Sequence, residues 1–539
     1  MNGRRFLWTL VPCAVVLSLA AGLRGAEYDE QYTLFLTSGV PRPEWPATVF
    51  PAGTVQHIQA GRAGLAAIAR DLRSTDVHPP LYFWLVSLWR AVLGHGLFVA
   101  RLLSVVLGLG ALALTGEIAR LARLPPVWAM LLTMGCYGFT YTSVVARGFA
   151  LAQMLVLSGV VGLLLGRRPR HFAVAGALFG AATLTNYLSV FAAAACLLAV
   201  GLEACWPRLY HPVPDGSNDL VAPCHRARRR SLAGSPMDAQ ARPGHDVEEA
   251  LLPRPVQAWH RALGAWVGFL IFVPADLWWF VAQRDSRMGQ FAPFSLSQGL
   301  ARLAVRFTAD ILGGLPLYVD GAASVILAGA LGLLLLWLIA RIVWRWPRIG
   351  LPRPRIMFAF AALAPAFGLL ALGAIFNNTP IEVRYLTFST PFLGLLLAGA
   401  LGGLGGGLLL AVQAASVAGL MVAPQTMQPA RAAAHAAAAL VDDGIVLLPR
   451  GNDGVGVVGA FAIEAPPALP LLLIRAADTP ERIRARIASR HRVVIALIEQ
   501  DAASRAASAA MRRALADPGW REVARGPNVA VYERADDAE

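Results

Sequence analysis

The sequence predicts an all-α polytopic membrane protein with a small α/β domain at its C-terminal end. Three observations carry this. Hydrophobic residues fill 56% of the 539 positions and charged residues only 15%, a balance too apolar for a soluble globular domain. Apolar runs near the length of a bilayer recur from residue 6 to residue 423. Beyond residue 424 the runs stop, and short β-type segments alternate with helical ones.

The chain contains no Lys, so all 47 basic residues are Arg, and the formal net charge is +14. This excess does not call for nucleic acid, because Arg gathers at the ends of apolar runs, as cytoplasmic loops require. Of the five Cys, Cys13, Cys136 and Cys196 sit in apolar runs, and Cys205 and Cys224 lie beside or in a polar loop. Their spacing fits neither zinc nor a disulfide framework.

Arg4 and Arg5 precede the first run, Phe6 to Leu23. Gly25 and Ala26 would suit a signal-peptide cleavage site. The many later runs favour an uncleaved first span with its N-terminus in the cytoplasm. Residues 24–96 then form the first outer loop. Arg62 to Arg73 reads as a short amphipathic helix. Leu81 to Leu93 is apolar and aromatic but short, either an interfacial helix or a short crossing.

Spans follow at 98–119, 126–145 and 149–166. Arg120 and Arg123 close the first, and Arg167, Arg168 and Arg170 close the third. Both clusters fall on the cytoplasmic side if Leu81–Leu93 does not cross, and Arg147 then lies outside. Residues 171–205 are long for one helix, and Asn186 and Tyr187 interrupt them. The next loop, 206–260, carries His225, Arg226 and Arg228 to Arg230 among Pro, Gly and Ser, and reads as basic and disordered. A cytoplasmic position for it requires two short helices in 171–205, with Asn186 and Tyr187 at the outer tip.

Further spans at 262–281, 322–343, 356–376, 386–401 and 405–423 bring the total to about eleven. A second outer loop, 282–320, holds Arg284, Asp285, Arg287, Arg302, Arg306 and Asp310. The domain organisation is therefore a membrane domain, 1–424, with catalytic outer loop 24–96 and basic cytoplasmic loop 206–260. A small periplasmic α/β domain, 425–539, follows. Its strands are read at GIVLLPR, LPLLLIR, RVVIALIE and NVAVYER, with helices near 480–490 and 502–516. It shows no nucleotide-binding glycine fingerprint and no nucleophile elbow. It is expected to be a structural or acceptor-docking appendage that the membrane part does not need in order to fold.

Ionisable groups gather at the outer membrane boundary, where they are costly and usually serve a site. Asp29 and Glu30 follow the first span, and Asp76, His78, Pro79 and Pro80 precede a run of aromatics. YDE at 28–30, DVHPPLYFW at 76–84, ARLLSVVLG at 100–108, ARGFAL at 146–151, TNYLS at 185–189 and RYLTFSTPFL at 384–393 give an ordered set of short motifs. In order and spacing they resemble the GT-C glycosyltransferases. The nearest likeness is to bacterial relatives of protein O-mannosyltransferases and of the lipid A aminoarabinose transferase.

That resemblance implies a GT-C-like fold, in the bacterial inner membrane, with the site facing the periplasm. It also implies transfer of a hexosyl or pentosyl unit from a polyprenyl-phosphate carrier to an envelope lipid, glycan or protein. The residues agree with such chemistry. A glycosyl phosphate already has a good leaving group, so a base for the acceptor hydroxyl and cations for the phosphate are the main needs. Asp29 is the candidate base. Glu30 either orients the acceptor or takes the base role. His78, Arg147 and Arg384 are candidates to neutralise phosphate, with Tyr187 and Tyr385 beside them. A single displacement inverts the anomeric centre. Relatives often carry Lys or His before the Pro pair, and a neutral His78 would hold phosphate more weakly.

Each residue also has a plainer reading. An acidic pair after a span is often a solvated boundary, Arg147 could snorkel, and Asn186 and Tyr187 could cap a helix hairpin. A divalent metal at Asp29 and Glu30 stays open, although no full ligand set is visible. A transporter, the remoter alternative, would place charges deep within spans and show internal repeats; here the polar residues gather in outer loops, which counts against it. A polysaccharide polymerase or ligase is the nearer alternative, though its large loop would be late and periplasmic.

Overall fold

The computed structural model describes residues 5–206, 254–284, 293–319, 321–378, 381–423, 429–526 and 528–535. Residues 207–253, with Cys224 and the basic cluster His225 to Arg230, lie outside the described residues, as do Asp285 and Arg287.

Helix α1 (Leu10–Leu23) leads into residues 24–96, the expected first outer loop. This loop is built of α2 (Tyr28–Ser38), strand β1 (Phe50–Pro51), α3 (Gly53–Gln59), α4 (Leu65–Thr75) and α5 (Leu81–Leu93). The long α6 (Leu97–Leu121) packs on α1 and on α9 (Phe149–Leu165). Between them lie α7 (Pro126–Gly135) and α8 (Tyr137–Ser143). The run 126–145 is therefore two short helices broken at Cys136, not one span. Residues 171–205 do form two helices, α10 (Pro169–Thr183) and α11 (Ser189–Cys205), with Asn186 and Tyr187 in the turn.

The run 262–281 bends by 42° between α12 (Arg254–Leu270) and α13 (Val273–Gln283). The loop expected at 282–320 contains a helix, α14 (Leu296–Leu312). Then come α15 (Ala322–Arg345), α16 (Pro352–Phe376), the short α17 (Val383–Leu386), α18 (Thr390–Ala400) and α19 (Gly403–Val422). Among the described residues six helices are long and apolar enough to cross a membrane, or seven if the bent pair is one span. The estimate of eleven counted runs that fold as shorter pieces. Leu81–Leu93, Pro126–Gly135, Phe149–Leu165 and Ser189–Cys205 are apolar but have at most 17 residues, and about 20 are needed to span 30 Å. The main core joins Leu17, Leu112, Met130, Val156, Phe179, Phe358 and Phe392 from these helices.

The C-terminal part comprises α20 (Pro429–Leu440), β2 (Ile445–Pro449), α21 (Gly456–Glu464), β3 (Pro470–Ile474), α22 (Pro480–Ile487), β4 (Arg492–Ala496), α23 (Ala502–Leu515), β5 (Trp520–Gly526) and β6 (Val529–Arg534). The sheet order is β1-β3-β2-β4-β6-β5, with β2, β3 and β4 parallel. Alternate residues face opposite layers, as strand geometry dictates. Ile445, Leu447, Leu472 and Ile495 pack under α22 and α23. Val446, Leu448, Leu471 and Val494 pack with α20, α21 and the first outer loop.

That second layer ties the two parts of the chain together. Phe35, Trp45, Phe50 and Val55 of the outer loop share one core with Val458, Phe461 and Leu471. Phe50 also pairs antiparallel with Leu471, so the outer loop supplies an edge strand to the sheet. The C-terminal unit is thus not a detached appendage, because it shares its core with the loop that carries Asp29.

Candidate active site

Helix α2 begins with three carboxylates, Glu27, Asp29 and Glu30, where the helix dipole favours negative charge. Two of them are locked inside the protein. Glu30 is fully buried. It receives Arg101 Nε at 2.8 Å and Arg101 Nη2 at 2.6 Å, the N–H of Glu27 at 3.0 Å and the N–H of Ala146 at 2.9 Å. Burial alone would raise its pKa. The Arg101 guanidinium outweighs that and, with Arg24 and the Ala146 N–H, holds the carboxyl below its ordinary value. Glu27 accepts from Arg24 at 2.8 Å and from the Tyr141 hydroxyl.

Asp29 differs. Successive helical residues point about 100° apart, so Asp29 turns away from Glu30. Its side chain keeps 16% exposure, and its partner is Arg384, itself 24% exposed. The Arg384 guanidinium lies 5.3 Å from the Tyr385 ring centre. The structure therefore joins the first outer loop to the segment 355 residues later that the sequence singled out.

Arg147, Asp76 and His78 form a second group. Arg147 Nη1 lies 3.2 Å from Asp76 Oδ2, and Arg147 Nη2 lies 3.0 Å from His78 Nδ1. His78 Nδ1 is also 3.0 Å from Asp76 Oδ1. Protonated, this nitrogen donates to Asp76; unprotonated, it accepts from Arg147. Arg147 is buried, so His78 stands nearer to open space than it does.

Arg147 sits on the irregular segment 144–148 between α8 and α9. Side chains satisfy the backbone there, as a buried break requires. Ser104 Oγ donates to Val145 O at 2.7 Å, Thr33 Oγ1 donates to Ala146 O at 2.8 Å, and Glu30 takes the Ala146 N–H. Gly148 follows, where a side chain would press on the Thr185 carbonyl and Tyr82.

A cleft of about 210 Å³ lies beside these groups. His78, Asn186, Tyr187, Gln283, Arg284 and Tyr385 line its polar part, and Phe280, Leu369, Leu372 and Phe376 its apolar part. Tyr187 is oriented by a 2.9 Å hydrogen bond to Gln283, which in turn donates to the carbonyls of Leu72 and His78 at 2.9 and 3.1 Å. The structure thus brings His78, Tyr187 and Tyr385 to one cleft. Asp29 and Arg384 adjoin it through Tyr385, Arg147 lies behind His78, and Glu30 stands apart.

Glu30 is committed to protein donors in this arrangement rather than free to join Asp29 on a metal. Both Glu30 oxygens accept from N–H donors, and the two side chains diverge. Among the described residues no three His, Cys, Asp or Glu side chains cluster as a metal would need. Sequence reasoning gave Asp76 no role of its own, although it lay in the cluster with His78, and passed over Arg101. Arg101 had a readable signal, a charge inside an otherwise apolar run.

No family model matches the chain, and no curated protein sequence matches it. Among solved structures it is similar to ArnT from Cupriavidus metallidurans bound to undecaprenyl phosphate, at 12% identity over 97% of each chain, with a TM-score of 0.46. The apo state of the same protein gives 13% identity, the same coverage and the same TM-score. The chain is also similar to the archaeal oligosaccharyltransferase AglB from Archaeoglobus fulgidus in complex with an inhibitory peptide and a dolichol-phosphate, at 12% identity over 99% of this chain and 75% of that one, with a TM-score of 0.37.

Proposed function

We propose that the protein is an integral membrane glycosyltransferase. It moves a hexosyl or pentosyl unit from a polyprenyl-phosphate carrier to an envelope lipid, glycan or protein on the outer side of the bacterial inner membrane. The observation that carries this reading is the selective exposure of Asp29. Of three carboxylates on one helical turn, two are bound to buried Arg residues and one meets a partly exposed cation beside a cleft.

The cleft suits a lipid-linked donor. Its apolar wall, Leu369, Leu372 and Phe376, would accept the polyprenyl chain, and His78 and Arg284 lie where a phosphate would enter. Arg384 then divides its contact between Asp29 and that phosphate, which frees the carboxylate. Asp29 accepts the proton of the acceptor hydroxyl as its oxygen bonds to the anomeric carbon. The bond from that carbon to the phosphate oxygen breaks, and its electron pair leaves with polyprenyl phosphate. The new bond forms opposite the leaving group, so configuration inverts. Arg384 and His78 stabilise the developing phosphate charge. Glu30 is a positioning residue in this scheme, since it holds Ala146 and so the segment bearing Arg147.

Mass spectrometry of envelope lipids, glycans and proteins, with and without the gene, tests the proposal. One class of molecule should lose a single sugar while its carrier-linked form accumulates. An unchanged envelope, together with no release of polyprenyl phosphate by the reconstituted chain, overturns it.

A further inference from the structure

A second cleft, of about 520 Å³, opens between residues 45–47 of the outer loop and the C-terminal sheet. It shares no lining residue with the first. Four guanidiniums line it, from Arg450, Arg475, Arg482 and Arg486, against the single carboxylate of Asp478.

The fold explains the convergence. Arg450 is the first residue after β2, and Arg475 the first after β3. These strands are parallel neighbours, so both side chains emerge at the same edge of the sheet. Ligands of open α/β sheets bind in the crevice beyond such carboxyl ends. Arg482 and Arg486 are four residues apart on α22 and so share one face. The outer loop closes the other side, where Arg486 donates to the Ala47 carbonyl at 2.6 Å.

Asp478 does not neutralise this group. It lies 3.5 Å from Arg486 and 3.9 Å from Arg482, and it also accepts the N–H of Arg475 at 2.8 Å. Arg450 and Arg475 pair with no carboxylate among the described residues, and Arg450 Nε is buried without an acceptor. Burial pushes Arg486 below its ordinary range, Asp478 partly restores it, and Arg482 and Arg475 push it down again. Like charges held together in a concavity cost free energy unless an anion joins them.

We infer that this cleft is a binding site for a phosphorylated ligand, with Arg450 and Arg475 as its principal contacts and Arg482 and Arg486 as flanking charge. Guanidinium forks arriving from two strands and a helix match the several oxygens of a phosphate. The volume admits the sugar or glycerol that bears it. A phosphorylated lipid headgroup and a soluble sugar phosphate share this chemistry. The inference does not depend on the transferase reading.

The test is equilibrium dialysis of radiolabelled inorganic pyrophosphate against the full chain in zwitterionic nanodiscs at fixed low salt. Arg384→Ala serves as the background that weakens any anion site beside Asp29. On that background saturable binding should persist, and Arg450→Gln with Arg475→Gln should weaken it tenfold or more. Arg475→Gln with Arg482→Gln, both exposed side chains, should also weaken it and guards against misfolding of the first pair. Displacement by short-chain phosphatidylglycerol but not by glucose 6-phosphate would support a headgroup ligand, and the reverse a soluble one. Absence of saturable binding on the Arg384→Ala background, or equal binding by well-folded variants of both pairs, overturns the inference.

Discussion

The backbone N–H of Ala146 donates to Glu30 Oε1 at 2.9 Å, across 116 residues of sequence. One turn of α2 therefore fixes two things at once. It turns Asp29 toward Arg384, and through Glu30 it anchors the irregular segment that carries Arg147. Arg101 completes the joint by binding both Glu30 oxygens and the carbonyls of Ala21, Arg24 and Gly25, at 2.9, 2.7 and 2.7 Å.

Asp29→Asn should abolish sugar transfer while leaving expression and carrier binding intact. The amide keeps the shape and loses the base. Removing a general base lowers turnover by a factor of about 10² to 10⁴. Release of polyprenyl phosphate by the reconstituted variant is the readout, and near wild-type turnover would remove Asp29 from the base role.

Glu30→Gln should act on stability first. It leaves Arg101 buried without its counter-charge, a loss of about 3–5 kcal/mol when a buried pair is broken. The pH sign follows from the carboxyl's lowered pKa. Its stabilisation is complete above the ordinary value of 4.5 and is lost as pH falls below it. Thermal midpoints in detergent should thus drop more steeply below that pH for the wild type than for Glu30→Gln. Parallel curves would show that the pair contributes little.

Much of the site was legible in sequence because its parts are local motifs. Asp29, His78, Arg147 and Arg384 each stand at the end of an apolar run, where a charge is conspicuous. What was illegible is the different setting of Asp29 and Glu30. Adjacent in sequence, they meet different Arg residues and differ in burial, and the Arg101 that binds Glu30 is 71 residues away. Helix α14 was missed because Arg302 and Arg306 made a periodic segment look like a polar loop. Strand β1 has two residues and pairs with a partner some 420 positions later, beyond the reach of any local pattern. The span count departs from the six or seven long apolar helices partly where Cys136 and the 270–273 bend interrupt apolar runs.

The Arg distribution predicts a topology that fusions can test. A periplasmic phosphatase fused at Gly234 should be inactive, and one fused at Glu539 active. Both positions lie outside the described residues. Activity at Gly234 would overturn the placement of the basic loop in the cytoplasm.

Arg384→Ala should weaken binding of the polyprenyl-phosphate sugar more than Arg147→Ala does. Arg147 is already neutralised by Asp76 and buried, whereas Arg384 pairs with Asp29 and is partly exposed beside Tyr385. Loss of a charged hydrogen bond costs about 1.5–3 kcal/mol, or roughly tenfold to a hundredfold in affinity. Carrier binding to each purified variant at fixed salt gives the ranking. If Arg384→Ala binds like the wild type, the phosphate is held elsewhere, with Arg302 and Arg306 of α14 as the next candidates.

A chain stopped at residue 424 should fail to fold its first outer loop. The sequence alone treats residues 425–539 as separable, but the loop's Phe35, Trp45, Phe50 and Val55 are buried against that unit. Tyr32 donates to Asp453 at 2.8 Å, and Tyr28 to Asp501 at 3.3 Å. Each large apolar side chain exposed by the truncation forfeits roughly 1.5–3 kcal/mol, so the four together exceed what a loop of marginal stability can lose. Helix α2 would lose the packing that aims Asp29 even if the spans inserted normally. Limited proteolysis of the truncated chain in detergent checks this: cleavage within 39–64 should rise sharply while the spans stay protected. A truncated chain that resists cleavage there and still transfers sugar would show that α2 is held by Glu30 and Arg101 alone.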